Sequence, residues 1–241
     1  MADARIPHEA EQDVDHYKFW TLNPMPFERL VTLRGQFDRG VRPARTIALD
    51  FIGNPVAKDG VAPQFPERHL TGYSLYPPSP SVPEPRRRVV LSNQFGPRFE
   101  WQIGDPQMLL LPAGKSFAEG LPGDPTPPLT HYLCYQVHTG EMVNREVELN
   151  DQFDAVLGEP EHVGPLFPSF FGVPVEKNGE PIGNAAVHLA IYRFQPRTGL
   201  AKPLFIRTSD QFIPLLPILL TVLGPRFLAV PSMKLEWSEQ P

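Results

Sequence analysis

Apolar and polar residues alternate along this chain in short runs, and each run stops at a turn-forming residue. In the stretch "HYLCYQV", Tyr132, Cys134 and Gln136 face one way while His131, Leu133, Tyr135 and Val137 face the other. That is the period of a β-strand, and apolar bulk on both faces predicts a strand covered on both sides. A second run, "REVELNDQF", has Val147 and Leu149 two apart and reads as a half-buried strand; "VVLSNQF" and "LVTLRGQF" are its counterparts. A third run, "MLLLP" or "FLAVP", leads into a proline turn. No long stripe at helical spacing occurs, so the expectation is an all-β fold.

The runs recur in a fixed order. His-x-x-x-(Tyr or Trp) occurs from His16, His69, His131 and His188. A Gln-Phe pair follows 20 to 25 residues later, at Gln36-Phe37, Gln94-Phe95, Gln152-Phe153 and Gln211-Phe212. Pro-x-x-Lys closes each set, at Lys58, Lys115, Lys177 and Lys234. The chain has 16 Arg but only 6 Lys, and four of those lysines stand at this anchor, which makes a chance pattern untenable. Four homologous units of about 50 residues follow, at 16–58, 69–115, 131–177 and 188–234.

A higher order is also legible. Units one and three both end in Lys-(Asp or Asn)-Gly, and each anchor shifts by 115 to 119 residues between units one and three or two and four. The expectation is a duplicated two-unit module: an N-terminal arm at 1–15, a β module at 16–115, a Pro/Gly-rich linker at 116–129, a second module at 130–235 and a tail at 236–241. Two pseudo-symmetric sandwich or barrel-like modules are preferred, with a four-bladed propeller as the alternative.

Two positions exchange volume across the units. Phe19, Gly72, Cys134 and Ile191 precede the anchor aromatic, while Gly53, Leu110, Gly172 and Ala229 stand two before the anchor proline. Where one is large the other is small. Close-packed neighbours tolerate that exchange best, so the opening and closing strands of each unit are expected to touch there.

Composition narrows the function classes. The 31 prolines are spread through the chain and 41% of residues are hydrophobic, which fits short strands joined by turns and not disorder. A net charge of −5 argues against nucleic acid as a partner, and Arg86-Arg87-Arg88 reads as a solvated strand start. No run of 18 or more apolar residues is present, so no membrane span is expected. The polar start "MADARIPHEAEQDVDH" lacks an apolar signal region, which points to the cytoplasm, or to export if a signal precedes it.

"HYLCY", "VELNDQF" and "GVPVEK" of the third unit resemble a bacterial repeat family of unknown function with the pattern His-x-x-Cys-Tyr, Val-x-Leu-x-Asp-Gln-Phe, Cys-x-Pro-x-x-Lys. The resemblance implies two cysteines placed to pair and an exported protein. This sequence keeps only Cys134, with Gly172 at the partner position, so packing stands where the family has a covalent link. The family brings no established activity.

Candidate chemistry is sparse. His16, His69, His131 and His188 are the metal-ligand candidates, imidazole being the commonest ligand, but no His-x-His, His-Glu-x-x-His or Cys-x-x-Cys spacing supports a metal. Repetition favours a structural duty for them and for the four lysines. Asp151 and Asp210 beside the Gln-Phe stations become Gly35 and Asn93 elsewhere, an exchange that a turn tolerates and acid–base catalysis does not. No Gly-x-Ser-x-Gly elbow or phosphate loop occurs, so a non-enzymatic protein without a cofactor is expected.

One asymmetry points to assembly. After Gln211-Phe212 the fourth unit runs "IPLLPILLTVLGP", where the other units are polar or mixed. Ile213, Leu215, Leu216, Ile218, Leu219, Leu220, Val222 and Leu223 are therefore the candidate interface with a protein partner or a second copy. The competing readings are a metal-binding protein or enzyme built on the histidines, and a carbohydrate-binding module using Trp20, Trp101 and Trp237 as platforms.

Overall fold

In the computed structural model the described residues are 14–76, 85–125, 130–196 and 203–240, with the backbone alone described for 214–217. Each unit folds as an opening strand, a crossing strand, a Gln-Phe station and a closing strand. The first gives β1 (Tyr17–Pro26), β2 (Leu30–Gly35), β3 (Arg42–Pro55) and β4 (Ala57–Lys58). The second gives β5 (His69–Leu75), β6 (Arg87–Asn93) and β7 (Gly96–Phe117). The third gives β8 (His131–Thr139), β9 (Val147–Asn150), α1 (Gln152–Leu157), β10 (Glu161–Val163) and β11 (Phe167–Lys177). The fourth gives β12 (Val187–Arg193), β13 (Leu204–Asp210) and β14 (Ile213–Glu239).

The fold is all-β, with one local departure at the third station. There the chain turns into the six-residue helix α1, capped by Asp151. The Asp151 side chain accepts from the N–H groups of Phe153 and Asp154, and Asp154 accepts from the Asp151 N–H in return. Gly158, at φ 95°, ends the helix in the left-handed conformation.

Antiparallel pairing runs β1–β3–β5–β7–β8–β11–β12–β14 and returns from β14 to β1. The opening and closing strands are thus the eight staves of one closed barrel, which leaves no open edge in the ring. The expected contacts occur in all four units: Phe19 stands opposite Gly53, Gly72 opposite Leu110, Cys134 opposite Gly172 and Ile191 opposite Ala229. A Cβ on Gly53 would lie 2.7 Å from Phe19 Cε1, so the large member of that pair occupies the space of the absent side chain. The anchor prolines form the neighbouring layer, with Tyr17 opposite Pro55, Leu70 opposite Pro112, Tyr132 opposite Pro174 and Leu189 opposite Pro231. These inward residues form one apolar cluster, the plug of the lumen, in which Cys134 is buried as a free thiol.

The crossing strands add a second tier outside the ring. Each pairs with the end of the closing strand two units away: β2 with β11, β6 with β14, β9 with β4 and β13 with β7. The register repeats, since Lys177, Lys234, Lys58 and Lys115 stand opposite Leu33, Leu91, Leu149 and Thr208, each three residues before a station glutamine. A larger apolar cluster, including Trp20, Tyr73, Tyr135 and Tyr192, fills the space between ring and crossing strands. At the ends of units one and three, Asp59-Gly60 and Asn178-Gly179 take positive φ and close two-residue turns.

This arrangement corrects the expectation of separate modules or propeller blades. Residues 16–115 and 130–235 supply four adjacent staves each to one barrel, and every crossing strand bridges from one half to the other. The physical reason is edge closure: either half alone would leave two long strands unpaired. Of the expected linker, 116–117 end β7 and 126–129 lie outside the described residues, as do residues 1–13 of the arm and Pro241. The expected tail begins inside β14.

Candidate functional site

Each Gln-Phe station is a meeting place of three units. The station phenylalanine packs edge-on against the anchor aromatic two units away: Phe153 on Trp20 at 5.2 Å, Phe212 on Tyr73 at 5.0 Å, Phe37 on Tyr135 at 5.3 Å and Phe95 on Tyr192 at 5.6 Å. The anchor lysine of the preceding unit lies over the same ring, with Lys58 at 5.8 Å from Phe95, Lys115 at 4.2 Å from Phe153, Lys177 at 5.4 Å from Phe212 and Lys234 at 5.5 Å from Phe37. The polar residue before the glutamine ties the aromatic down. Trp20 Nε1 donates to Asp151 at 2.6 Å, Tyr73 O–H donates to Asp210 at 2.8 Å, and Asn93 Nδ2 donates to the Tyr192 hydroxyl at 3.0 Å. The same residues accept the N–H of Phe153, Phe212 and Phe95. One recurring set of contacts thus holds the four station phenylalanines and the four anchor lysines.

The four histidines do not converge; each meets, or fails to meet, the station of the following unit. His16 pairs with Gln94, His188 with Gln36, and His131 Nε2 lies 2.9 Å from Gln211 Oε1. His188 Nδ1–H donates to the Ala186 carbonyl at 3.1 Å, which leaves Nε2 to accept from the Gln36 amide, and Lys234 donates to Gln36 in turn. Burial and the neighbouring anchor lysine pull the imidazoles of His16 and His69 down to about 3, and those of His131 and His188 to about 4. All four are neutral at pH 7. Among the described residues no group of three or more His, Cys, Asp or Glu side chains is placed to hold a metal ion.

The fourfold pattern breaks at His69. Its expected partner, Gln152, is the first residue of α1; it accepts from Lys115 Nζ at 2.7 Å and donates to the Pro66 carbonyl at 3.2 Å. Among the described residues neither ring nitrogen of His69 has a hydrogen-bonding partner, although the residue is only 2% exposed. His69 lines a cavity of about 290 Å³ set over the layer that ends the lumen, where Tyr17, Leu70, Pro112 and Tyr132 form the floor. The Tyr132 hydroxyl, equally buried, also has no partner among the described residues, and burial pushes its pKa well up. Arg68, set over the Phe65 ring at 3.6 Å, lines the same cavity.

A second polar cluster escaped the sequence reading. Lys18, fully buried in β1, lies 2.7 Å from Asp154 and 2.5 Å from Glu161, over the Trp20 ring at 4.6 Å. Burial and the adjacent Asp151 push the Asp154 carboxyl up to about 7 against the pull of Lys18. The cluster is closed to solvent and ties α1 and β10 to β1. Its signal was readable: Lys18 occupies the position of Thr71, Leu133 and Ala190 in the other units, where a charge is out of place.

The apolar run of the fourth unit divides by strand alternation. Register with β13 sets Leu220 opposite Ile206 and Val222 opposite Leu204, so Ile213, Leu220 and Val222 are core and not available to a partner. Ile218 packs partly against the same core. Leu219 and Leu223 remain half exposed, with Phe205 on β13 beside them, and the side chains of Leu215 and Leu216 lie outside the described residues. Of the three tryptophans, Trp20 and Trp101 are buried, whereas Trp237 packs on Phe37 at 4.9 Å and stays 38% exposed.

No curated protein and no solved structure matches the chain. A family described as a repeat of unknown function (DUF7450) matches residues 69–212, which run from His69 of the second unit to Phe212 of the fourth. With more than half its length matched, the chain belongs to this DUF7450 repeat family.

Proposed function

We propose that this protein is a non-catalytic binding module, a rigid four-unit barrel that acts by assembly with a protein partner or a second copy of itself. The four units are read as divergent copies of the family's repeat, in which the fit of Cys134 against Gly172 replaces a covalent pair. What supports a non-catalytic reading is that the repeated polar residues are consumed by structural duties at the stations. The observation that carries assembly is the strip formed by Phe205, Leu219 and Leu223, large apolar side chains left about half exposed on one unit.

Light scattering tests the self-assembly arm directly. Wild-type chain is expected to show a mass above 27.1 kDa that rises with concentration. Leu219→Asp with Leu223→Asp is expected to return it to the monomer while circular dichroism stays unchanged. A wild-type chain that is monomeric throughout, or a variant that keeps the larger mass, removes this arm.

A further inference from the structure

We infer that Lys18, Asp154 and Glu161 form a pH-sensitive latch on the corner made by α1 and β10. The corner is held against β1 while the two carboxylates keep one proton between them, and it loosens when that proton leaves. This goes beyond the assembly reading and does not depend on it. The geometry sets more negative groups than positive ones in a space closed to solvent. Asp154 and Glu161 both meet the Lys18 ammonium, at 2.7 and 2.5 Å, and all three residues are buried. Lys18 is the one cation at Glu161, whose carboxylate has no other partner among the described residues. Asp151 adjoins from the turn before α1, where it accepts from Trp20, Asn54, Phe153 and Asp154. Lys115, near the end of β7, faces Asp151 and is engaged with the Phe153 ring and Gln152. With both carboxylates charged, one ammonium cannot balance them, and burial raises the cost of the surplus. Burial, and after it the charge of Asp151, accordingly push the Asp154 carboxyl up to about 7 against the pull of Lys18. A folded value raised above the ordinary one of about 4 sets the sign. The stabilisation is complete below about pH 4 and is lost as pH rises through about 7. Thr71, Leu133 and Ala190 stand in place of Lys18 in the other units, which therefore lack its cation at this position.

Amide hydrogen exchange of the full chain, followed by mass spectrometry on peptides covering 151–163, tests the latch. Corrected for intrinsic exchange rates, protection there is expected to fall about tenfold or more from pH 5 to pH 8. Glu161→Gln keeps an oxygen for Lys18 and removes one negative charge, which leaves Asp154 to balance the ammonium. This variant is expected to show a fall of less than about threefold, with protection at pH 8 above that of wild type. In carbon-detected NMR the wild-type Asp154 carboxyl is expected to titrate at about 7, and in Glu161→Gln about one pH unit lower or more. The inference is overturned if wild-type protection is the same at pH 5 and pH 8, or if the wild-type Asp154 carboxyl titrates below about pH 5. It is equally overturned if Glu161→Gln keeps the full fall, or lowers protection alike at both pH values as a purely structural change would. The wild-type measurements decide alone should Glu161→Gln fail to fold.

Discussion

Phe19 and Gly53 show at the residue scale how this sequence writes its fold. The space above Gly53 is occupied by the Phe19 ring, 2.7 Å from where a Cβ would sit. In the second unit the roles reverse, and Leu110 Cδ2, 3.3 Å from where a Cβ would sit, closes the space above Gly72 together with Phe51 and Met108. The pairs were legible because a constant summed volume leaves a trace at two positions that recur in every unit. Gly53→Ala is expected to cost about 1–3 kcal/mol through overpacking of the lumen. Combined with Phe19→Leu, which makes room, it should cost less than the sum of the two single changes by about 1 kcal/mol. Urea unfolding of the four proteins checks this, and strict additivity would show that the two side chains do not share a space. Lys18 teaches the opposite lesson. A charge in a core strand was visible, but its partners Asp154 and Glu161 lie more than 130 residues away, and nothing local announces them.

At the scale of elements, the stations explain why their first residue varies as it does. Asp210 Oδ2 accepts from Thr71 at 2.5 Å and Tyr73 at 2.8 Å, and both hydroxyls can accept as well as donate. Asn93 fills the equivalent place by donating to Tyr192. Asp210→Asn should therefore change stability by no more than about 1 kcal/mol. Asp151 differs, since Trp20 Nε1 and Asn54 Nδ2 at 3.0 Å face its Oδ2, and the indole can only donate. Asp151→Asn is expected to cost about 2–3 kcal/mol, as an amide N–H₂ would confront two donors. Equal costs in chemical denaturation would mean that the indole bond does not govern this station. Asp151 also caps α1, whose first residue, Gln152, bonds Lys115 and the Pro66 carbonyl instead of His69. Sequence pattern gave the station but not the helix, since a single six-residue turn has no periodicity to read.

At the scale of the whole molecule, the four units were legible from their anchors, but their closure into one ring was not. Alternation shows that a strand is covered on both faces; it does not show which strand covers it. The pairing that matters joins β1 to β14 across nearly the full chain, and crossing strands to partners two units on. The unpartnered His69 was hidden for the same reason, because it is the absence of one contact in a set of four that only the closed barrel reveals. Closure of the ring is thus the claim on which stations and lumen both rest. Thr21 stands opposite Gly224 across the β1–β14 seam, and a side chain added at Gly224 meets open space. Thr21→Cys with Gly224→Cys, treated in the native state with a short bifunctional thiol cross-linker that can span paired strands, is predicted to be bridged within one chain. Thiol titration after denaturation would then find a single free thiol per chain, that of Cys134. Three free thiols would contradict the closed barrel.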